Sequence, residues 1–349
     1  MKLVCSNIVV QVFLCLKILG GIKVLFQILL VIIGFALLIK GADFLVDGAS
    51  GIAKKFHIPE IIIGLTIVSI GTSMPELVVS TKAGLEGLSD IAIGNVVGSN
   101  IANLFFILGI CAMIHPLKFK KQTRLIENPI VIISTLLLFV FANLPLGENS
   151  VIARGEGIIL IILFAGFLLY NIIMVKKAKK FDNEEEEPII EITREKENSL
   201  LKSVINVIVG IVALKFGGDF VVDGSVTIAE AMGISEKLIS LTIIAFSTSL
   251  PELITSVVAS IKGKNDIAIG NVVGSQIFNI LLILGVTSIL SPITYSLEYN
   301  FDMIVLLVGS LIFTIIPFVG KRNQMTRKTG IVFVLVYILY IARLVIVNT

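Results

Sequence analysis

Long apolar stretches alternate with short polar segments along the whole chain. A helix needs about 20 mostly apolar residues to cross the roughly 30 Å hydrocarbon core of a bilayer. Ten stretches reach this length, and the pattern predicts an all-α polytopic membrane protein with ten transmembrane helices. The predicted spans are residues 22–48, 58–82, 89–115, 128–146, 154–175, 201–226, 235–261, 267–290, 301–320 and 328–348.

The composition agrees with a membrane location. Of the 349 residues, 56% are hydrophobic and 15% are charged, and the mean hydropathy is +1.02. Ordinary soluble domains carry about 25% charged residues, so a water-soluble globule is excluded. The net charge of +3 gives no reason to expect nucleic acid, and the expected partner is the lipid bilayer. Three dispersed cysteines and two histidines predict neither a disulfide nor a zinc site.

A charged segment at 176–200 divides the chain into two hydrophobic halves. It lacks EF-hand spacing, which favours a solvated linker over a calcium-binding regulatory loop. The predicted organisation is therefore one five-helix repeat at 22–175, the linker, and a second five-helix repeat at 201–349. Residues 1–21 form a hydrophobic extension that fits a cleaved signal, an interfacial segment or a misassigned start. The sequence carries no signal of the oligomeric state.

The basic residues indicate the orientation. Short loops rich in Lys and Arg stay in the cytoplasm. The loops that share a side with the central linker hold 19 Lys and Arg residues, and the opposite loops and the C-terminal end hold 4. The sequence thus predicts a multi-pass protein of the cell membrane, with both termini outside and the linker in the cytoplasm.

An internal repeat relates the two halves. The segment DIAIGNVVGS occurs at 90–99 and again, letter for letter, at 266–275, an offset of 176 residues. The same offset pairs the TSxPEL motifs at 72–77 and 248–253. Each predicted half has an odd number of spans, so the second enters the membrane from the opposite side. Inverted-topology repeats of this kind are a transporter design, with the site between the halves at mid-depth.

Polar side chains form one stripe in the second span and a matching stripe in the seventh. Pro75 and Pro251 interrupt these helices and leave backbone carbonyls without donors. A packing kink satisfied by hydroxyl groups is the alternative, but an adjacent glutamate favours ion ligation. The stripes consist of Thr66, Ser69, Ser73, Glu76 and Ser80, and of Thr242, Ser249, Glu252 and Ser256.

Glu76 and Glu252 are the acidic residues predicted to lie deep within spans. An ionised carboxylate there costs at least ~2.5–3.5 kcal/mol, so it should be paired or functional. Asp43 and Asp219 lie beside Lys40 and Lys215 near span ends, and we expect ion pairs or caps there in preference to a role in transport.

The third and eighth spans add amides and hydroxyls. Asn95, Ser99 and Asn103 recur every four residues, and Asn271, Ser275 and Asn279 mirror them. Together the stripes offer oxygen ligands without nitrogen or sulfur. Such a set suits calcium better than magnesium and can also hold sodium.

These motifs resemble the cation/calcium exchanger superfamily, most closely its microbial sodium/calcium exchangers. The resemblance rests on GTSMPEL at 71–77, GNVVGSNIAN at 94–103, STSLPEL at 247–253 and GNVVGSQIFN at 270–279. It implies that Glu76 and Glu252 are the central calcium ligands, and that the backbone carbonyls of Ser69 and Ala245 are the outermost contacts. It further implies roles for Thr72 and Thr248 through carbonyl and hydroxyl oxygens, for Ser73 and Ser249 at the helix breaks, and for Ser99, Ser275, Asn103 and Asn279 in flanking sodium sites.

Two departures qualify the resemblance. Ser247 occupies the position where the first repeat has Gly71, so the two breaks can differ in flexibility. Asn279 occupies a position where several relatives carry Asp, which favours potassium independence. The GTS sequence before Glu76 differs from the GN of proton/calcium exchangers and disfavours proton coupling.

The expected function is sodium/calcium antiport by alternating access, electrogenic and independent of potassium. The sequence predicts no enzyme activity, no catalytic residues and no cofactor; calcium and sodium are the transported ions. A proton- or potassium-coupled cation exchanger and a cation channel are the alternatives.

Overall fold

The computed structural model describes residues 2–143, 150–182, 199–232, 245–319 and 323–348. We number the helices and strands of these ranges in chain order. The helices are α1 Lys2–Phe56, α2 Glu60–Thr72, α3 Met74–Leu85, α4 Ser89–Ile114, α5 Thr123–Asn143, α6 Arg154–Asp182, α7 Leu200–Ala231, α8 Ala245–Ser247, α9 Leu250–Ile261, α10 Asn265–Leu290, α11 Leu297–Val319 and α12 Arg327–Asn348. The strands are β1 Leu117–Lys118, β2 Val151–Ile152, β3 Ile293–Thr294 and β4 Gln324–Met325.

Within the described ranges, eight helices are long and apolar enough to cross a membrane, and the bent pair α2–α3 makes a ninth candidate. The predicted span 235–261 lies partly outside these ranges, and its described part is the shorter apolar helix α9. The count of ten therefore stays a prediction. Most of the predicted linker, residues 183–198, also lies outside the described residues.

Several helices extend beyond the predicted spans. The helix α1 continues to Phe56, beyond the predicted end at 48, and α6 continues to Asp182, beyond the predicted end at 175. The helix α5 begins at Thr123, whereas the apolar pattern starts at 128. A π-helical turn at Thr123–Glu127 adds polar residues, including Glu127, to this span.

The helices α1 and α7, which the repeat relates to each other, pack antiparallel along a seam of glycines. Gly34 faces Gly217 and Gly41 faces Gly210, with backbone atoms so close that an added Cβ at any of the four would lie about 3 Å or less from the opposite helix. Small residues permit this close approach in membranes. The antiparallel direction is the one that an inverted repeat requires.

The helices α4 and α10 form the centre of the protein. In the most apolar window of α10, 94% of the residues are buried, against 72% in α4 and 11–44% in the other long helices. The outer helices expose large apolar side chains such as Leu25, Ile162 and Leu339, as expected for surfaces in contact with lipid.

Two short strand pairs join loops of the two halves. β1 pairs antiparallel with β4, and β2 pairs antiparallel with β3. Each pair therefore connects a segment of the first repeat with a segment of the second.

Ion pairs fasten α1 and α2 to the segment between α9 and α10. Lys262 Nζ lies 2.7 Å from Asp47 and 3.0 Å from Asp43, and Lys264 Nζ lies 2.7 Å from Glu60. We call these five residues the ion-pair clasp. Partial burial alone would lower the pKa of Lys262, but hydrogen bonds and Coulomb attraction from Asp47 and Asp43 outweigh it and raise that pKa.

The ion pairs predicted for Asp43 and Asp219, which the repeat relates, are confirmed. Asp43 pairs with Lys262 and, at 3.7 Å, with Lys40. Asp219 pairs with Lys215 at 2.7 Å within α7.

Candidate cation-binding site

Each half contains a helix break beside a buried carboxylate. α2 and α3 meet at Ser73 with a bend of 50°, and in the second half α9 begins directly after Ser249. The backbone angles agree closely, with φ −87° and ψ 9° at Ser73 and φ −84° and ψ 1° at Ser249. Pro75 and Pro251 fall in the first turn of the new helix, where a missing N–H is tolerated. Both predicted breaks are therefore present.

The side chains that the sequence predicted for the site are buried with one exception. Thr248 is half-buried, and Ala245, predicted to act through its carbonyl, begins α8. In the polar stripe of the second span, Ser69, Ser73, Glu76 and Ser80 are buried and Thr66 is half-buried. The fully or almost fully buried site residues are Ser69, Thr72, Ser73, Glu76, Ser99, Asn103, Ser249, Glu252, Ser275 and Asn279.

Contacts between the halves bring several of these residues together. The Ser73 hydroxyl donates a hydrogen bond of 2.7 Å to Oε1 of Glu252, and its oxygen lies 3.0 Å from that of Ser275. The hydroxyls of Ser99 and Thr248 lie 3.4 Å apart. No hydrogen bond links Asn103, Asn279 or Ser249 to these residues among those described, and we group them here by burial and by the repeat. We call the whole set the candidate pocket: Thr72, Ser73, Glu76, Ser99, Asn103, Thr248, Ser249, Glu252, Ser275 and Asn279.

Two asparagines outside the predicted ligand set hold the breaks in place. Asn271 accepts a hydrogen bond from the Thr72 hydroxyl at 3.0 Å and donates to Ser256 at 2.9 Å. The repeat-related Asn95 accepts from Thr248 at 3.1 Å and donates to Ser80 at 2.9 Å. The i, i+4 pattern identified both asparagines. It did not predict their hydrogen bonds to the helix breaks, because those bonds join different helices.

The two carboxylates of the pocket differ in their surroundings. Glu252 accepts the hydrogen bond of Ser73, whereas Glu76 and the repeat-related Ser249 have no hydrogen-bond partner among the described residues. Both glutamates are 0% exposed and close enough for Coulomb repulsion between them. A buried unpaired carboxylate is costly, and a bound cation removes that cost.

Asn103 and Asn279 lie in π-helical segments, Ala102–Ile107 and Phe278–Leu284. Such segments are rare and occur frequently at functional sites, because they shift the backbone register and release carbonyl groups.

In the part of the chain described here, no three Asp, Glu, His or Cys side chains cluster as a metal site. The pocket therefore offers two carboxylates and neutral oxygens, a donor set suited to calcium or sodium.

The sequence analysis did not single out two further buried carboxylates, those of Glu156 and Glu127. Glu127 is 0% exposed, and neither of its oxygens has a hydrogen-bond partner among the described residues. Glu127 lies in the first turns of α5 and outside the predicted span 128–146, so it does not contradict the prediction that Glu76 and Glu252 lie deep within spans. No sequence signal identified it, because it precedes the apolar run of its helix.

Comparisons with known proteins agree with this geometry. Residues 26–173 and 202–346 match the family described as sodium/calcium exchanger protein. The putative antiporter CaxA of Alkalimonas amylolytica is 36% identical over 315 residues, which cover 89% of this chain and 96% of CaxA. The sodium/calcium exchanger MaX1 of Methanosarcina acetivorans is 32% identical over 340 residues, which cover 90% of this chain and 97% of MaX1.

The fold is also that of a solved exchanger. A structure of the sodium-calcium exchanger NCX_Mj superposes with a TM-score of 0.75 at 32% identity, covering 91% of this chain and 99% of the other. Motifs, helical membrane fold and family match lead to one assignment. The chain belongs to the sodium/calcium exchanger protein family, within the cation/calcium exchanger superfamily, and is a multi-pass membrane protein of an ion-transporting antiporter family.

Proposed function

We propose that the protein is a secondary active antiporter that exchanges sodium for calcium across the cell membrane. The observation that carries the proposal is the pair of fully buried carboxylates, Glu76 and Glu252, each beside a helix break in an oxygen-lined pocket. Calcium takes six to eight oxygen ligands, carboxylates and carbonyls among them. Two carboxylates neutralise one calcium ion, and sodium ions compete for the same oxygens.

The buried charges also explain why transport would be coupled. An empty pocket that contains two ionised carboxylates is expensive to enclose away from water. Occupation by calcium or by sodium ions removes this penalty, so the occupied protein changes its opening from one side of the membrane to the other. The empty protein resists that change, which makes exchange the favoured reaction and suppresses leak.

The residue at position 279, an asparagine, helps to determine which ion is exchanged for calcium. Its amide is neutral, so the pocket has two negative charges and lacks the additional carboxylate that the resemblance associates with potassium. We infer that exchange is independent of potassium. With more than two sodium ions per calcium ion each cycle moves net charge, and the membrane potential then assists calcium extrusion at ~2.3 kcal/mol per elementary charge per 100 mV.

The pair α1 and α7 is the candidate for the moving element. The glycine seam packs α1 tightly against α7, so the two helices can move as one body, and the ion-pair clasp joins α1 to the segment between α9 and α10. The orientation that the basic loops predict, with both termini outside and the linker in the cytoplasm, is part of the proposal. The names of MaX1 and NCX_Mj, both called sodium/calcium exchangers, support the choice of ions.

The proposal is tested by flux into proteoliposomes. Vesicles loaded with sodium are diluted into sodium-free medium containing radioactive calcium, with pH and potassium equal on both sides. Calcium uptake should require the outward sodium gradient and respond to an imposed membrane potential. Absence of sodium-driven uptake would contradict the proposal.

A proton-coupled exchanger is the second candidate. Glu76 has no partner among the described residues, and a carboxylate without a hydrogen-bond donor is a group that can carry a proton. In the same vesicles, calcium uptake driven by a pH gradient without sodium would favour this candidate. A channel would conduct calcium without any counter-ion.

A further inference from the structure

Asn100 in α4 connects the backbone of α10 with Asn279 through two amide hydrogen bonds. Its Nδ2 donates to the carbonyl oxygen of Gln276 at 3.3 Å, and its Oδ1 accepts from Nδ2 of Asn279 at 3.0 Å. Asn100 and Asn279 are both 0% exposed, so the connection lies inside the protein.

The backbone fixes the direction of this connection. A carbonyl oxygen can only accept, so Asn100 must turn its Nδ2 towards Gln276. The Oδ1 of Asn100 then faces Asn279 and requires a donor, which only the Nδ2 of that amide supplies. The Oδ1 of Asn279 is the atom left over, and it is buried without a hydrogen-bond donor among the described residues.

The first half has no equivalent connection. The repeat pairs Asn100 with Gln276, and Asn103 with Asn279. The side chain of Gln276 is one methylene longer, and in the described parts of the chain neither its amide nor that of Asn103 has a hydrogen-bond partner. The connection is therefore specific to Asn279 and does not follow from the repeat.

We propose that Asn100 is a positioning residue that holds Asn279 with its oxygen, and not its NH₂ group, available to the transported cation. The inference rests on the proposed function, because it takes Asn279 as a ligand in the pocket. Without Asn100 the amide of Asn279 can turn and present its positively polarised NH₂ group, which repels a cation. Asn100 thereby makes Asn279 a neutral oxygen ligand for sodium.

The pairing also explains why an amide suits position 279. A carboxylate there would place an acceptor against Oδ1 of Asn100, at a site where the present distance is 3.0 Å. Asn100 could turn only by losing its bond to the carbonyl of Gln276. A carboxylate has two equivalent oxygens, so it needs no orientation once Asn100 is absent.

The first test uses Asn100→Leu, with Asn100→Ala as the smaller replacement should the leucine variant fail to fold. Loss of an orienting hydrogen bond should raise the sodium concentration needed for half-maximal exchange by about threefold to tenfold. Asn143→Leu is the matched control, because Asn143 and Asn300 form an amide pair of 2.8–2.9 Å outside the pocket. The control should lower the melting temperature without changing the sodium dependence.

The second test is a double-mutant cycle with Asn279→Asp. Alone, Asn279→Asp should impair sodium-dependent exchange, and in the Asn100→Leu background it should restore sodium affinity towards the wild-type value. Strong non-additivity distinguishes positioning from a loss of packing. Additive effects, or a wild-type sodium dependence in Asn100→Leu, would overturn the inference.

A binding measurement separates this inference from the proposed function. Sodium-induced and calcium-induced increases in the melting temperature of the detergent-purified protein report ion binding without transport. If the wild type fails to exchange in vesicles, the proposed function fails, and the cycle is still read from sodium-induced stabilisation. Equal stabilisation by sodium in wild type and Asn100→Leu would overturn the inference alone.

Discussion

The ammonium group of Lys262 lies 2.7 Å from the carboxylate of Asp47 and thereby links the end of α9 to α1. At the repeat-related positions the protein has Glu86 in place of Lys262 and Leu88 in place of Lys264. Glu86 pairs with Lys82 inside its own segment. Among the described residues, the clasp therefore has no counterpart of the same chemistry at the repeat-related positions.

We expect Lys262→Met to accelerate calcium/calcium exchange in proteoliposomes. If α1 moves against the core during alternating access, these ion pairs must break. The two pairs are partly exposed and worth about 0.2–1 kcal/mol each, so the loss of both should increase the rate by about twofold to 30-fold. Lys215→Met is the control, because Lys215 pairs with Asp219 within α7 alone. An unchanged rate in Lys262→Met would contradict a movement of α1 at the clasp.

Neutralising either glutamate of the pocket should abolish calcium exchange. Removal of one charge from a buried, charge-compensated site costs about 3–5 kcal/mol, so Glu76→Gln and Glu252→Gln should each reduce apparent calcium affinity by more than about 100-fold. Glu156→Gln is the control, since Glu156 is equally buried but accepts from the backbone of Ala153 at 2.6 Å outside the pocket. Calcium exchange retained in Glu76→Gln would remove Glu76 from the site.

Ser73 and Ser249 are related by the repeat but should contribute differently to the stability of the protein. Ser73 donates to Glu252, and Ser249 has no partner among the described residues. A hydrogen bond to a charged group is worth about 1.5–3 kcal/mol. In buffer without sodium and calcium, Ser73→Ala should lower the melting temperature measurably and Ser249→Ala should leave it nearly unchanged. Equal effects would show that the two carboxylates have equivalent surroundings.

The glycine seam gives a prediction with an internal control. A Cβ at Gly210 would lie 2.6 Å from the backbone nitrogen of Leu45 and 2.7 Å from the carbonyl oxygen of Gly41. Gly210→Ala must therefore separate α1 from α7, at a cost of about 1–3 kcal/mol. Gly218→Ala adds the same atom to the same helix where nothing lies within 4 Å. In thermal unfolding, Gly210→Ala should lower the melting temperature, and Gly218→Ala should leave it unchanged.

Local chemistry made part of this architecture predictable. The two helix breaks follow from a proline beside a glutamate in each apolar span, and the repeat offset of 176 indicates that the two breaks belong together. The ion pairs of Asp43 and Asp219 follow from charged neighbours one helical turn away. These features depend on residues that are close in sequence, so a pattern along the chain contains them.

Features that depend on packing between helices could not be read in the same way. The burial of Glu127 results from a π-helical turn before an apolar run, and the clasp results from the approach of α9 to α1. The difference between Glu76 and Glu252 is invisible in repeats that carry the same motif. Asn100 differs from its repeat partner Gln276 by one methylene. The role of Asn100 depends on its contact with the backbone carbonyl of Gln276, which the sequence does not show.

The two strand pairs determine which parts of the protein can move independently. They connect the loop after α4 with the loop before α12, and the loop before α6 with the loop after α10. Neither α1 nor α7 contributes to a strand. Those inter-loop bonds bind parts of both repeats into one frame, and the α1–α7 pair can shift against that frame without breaking a strand hydrogen bond. In the proposed mechanism each half contributes one helix to the moving α1–α7 pair, while the strand pairs link loops of the two halves beside α4 and α10.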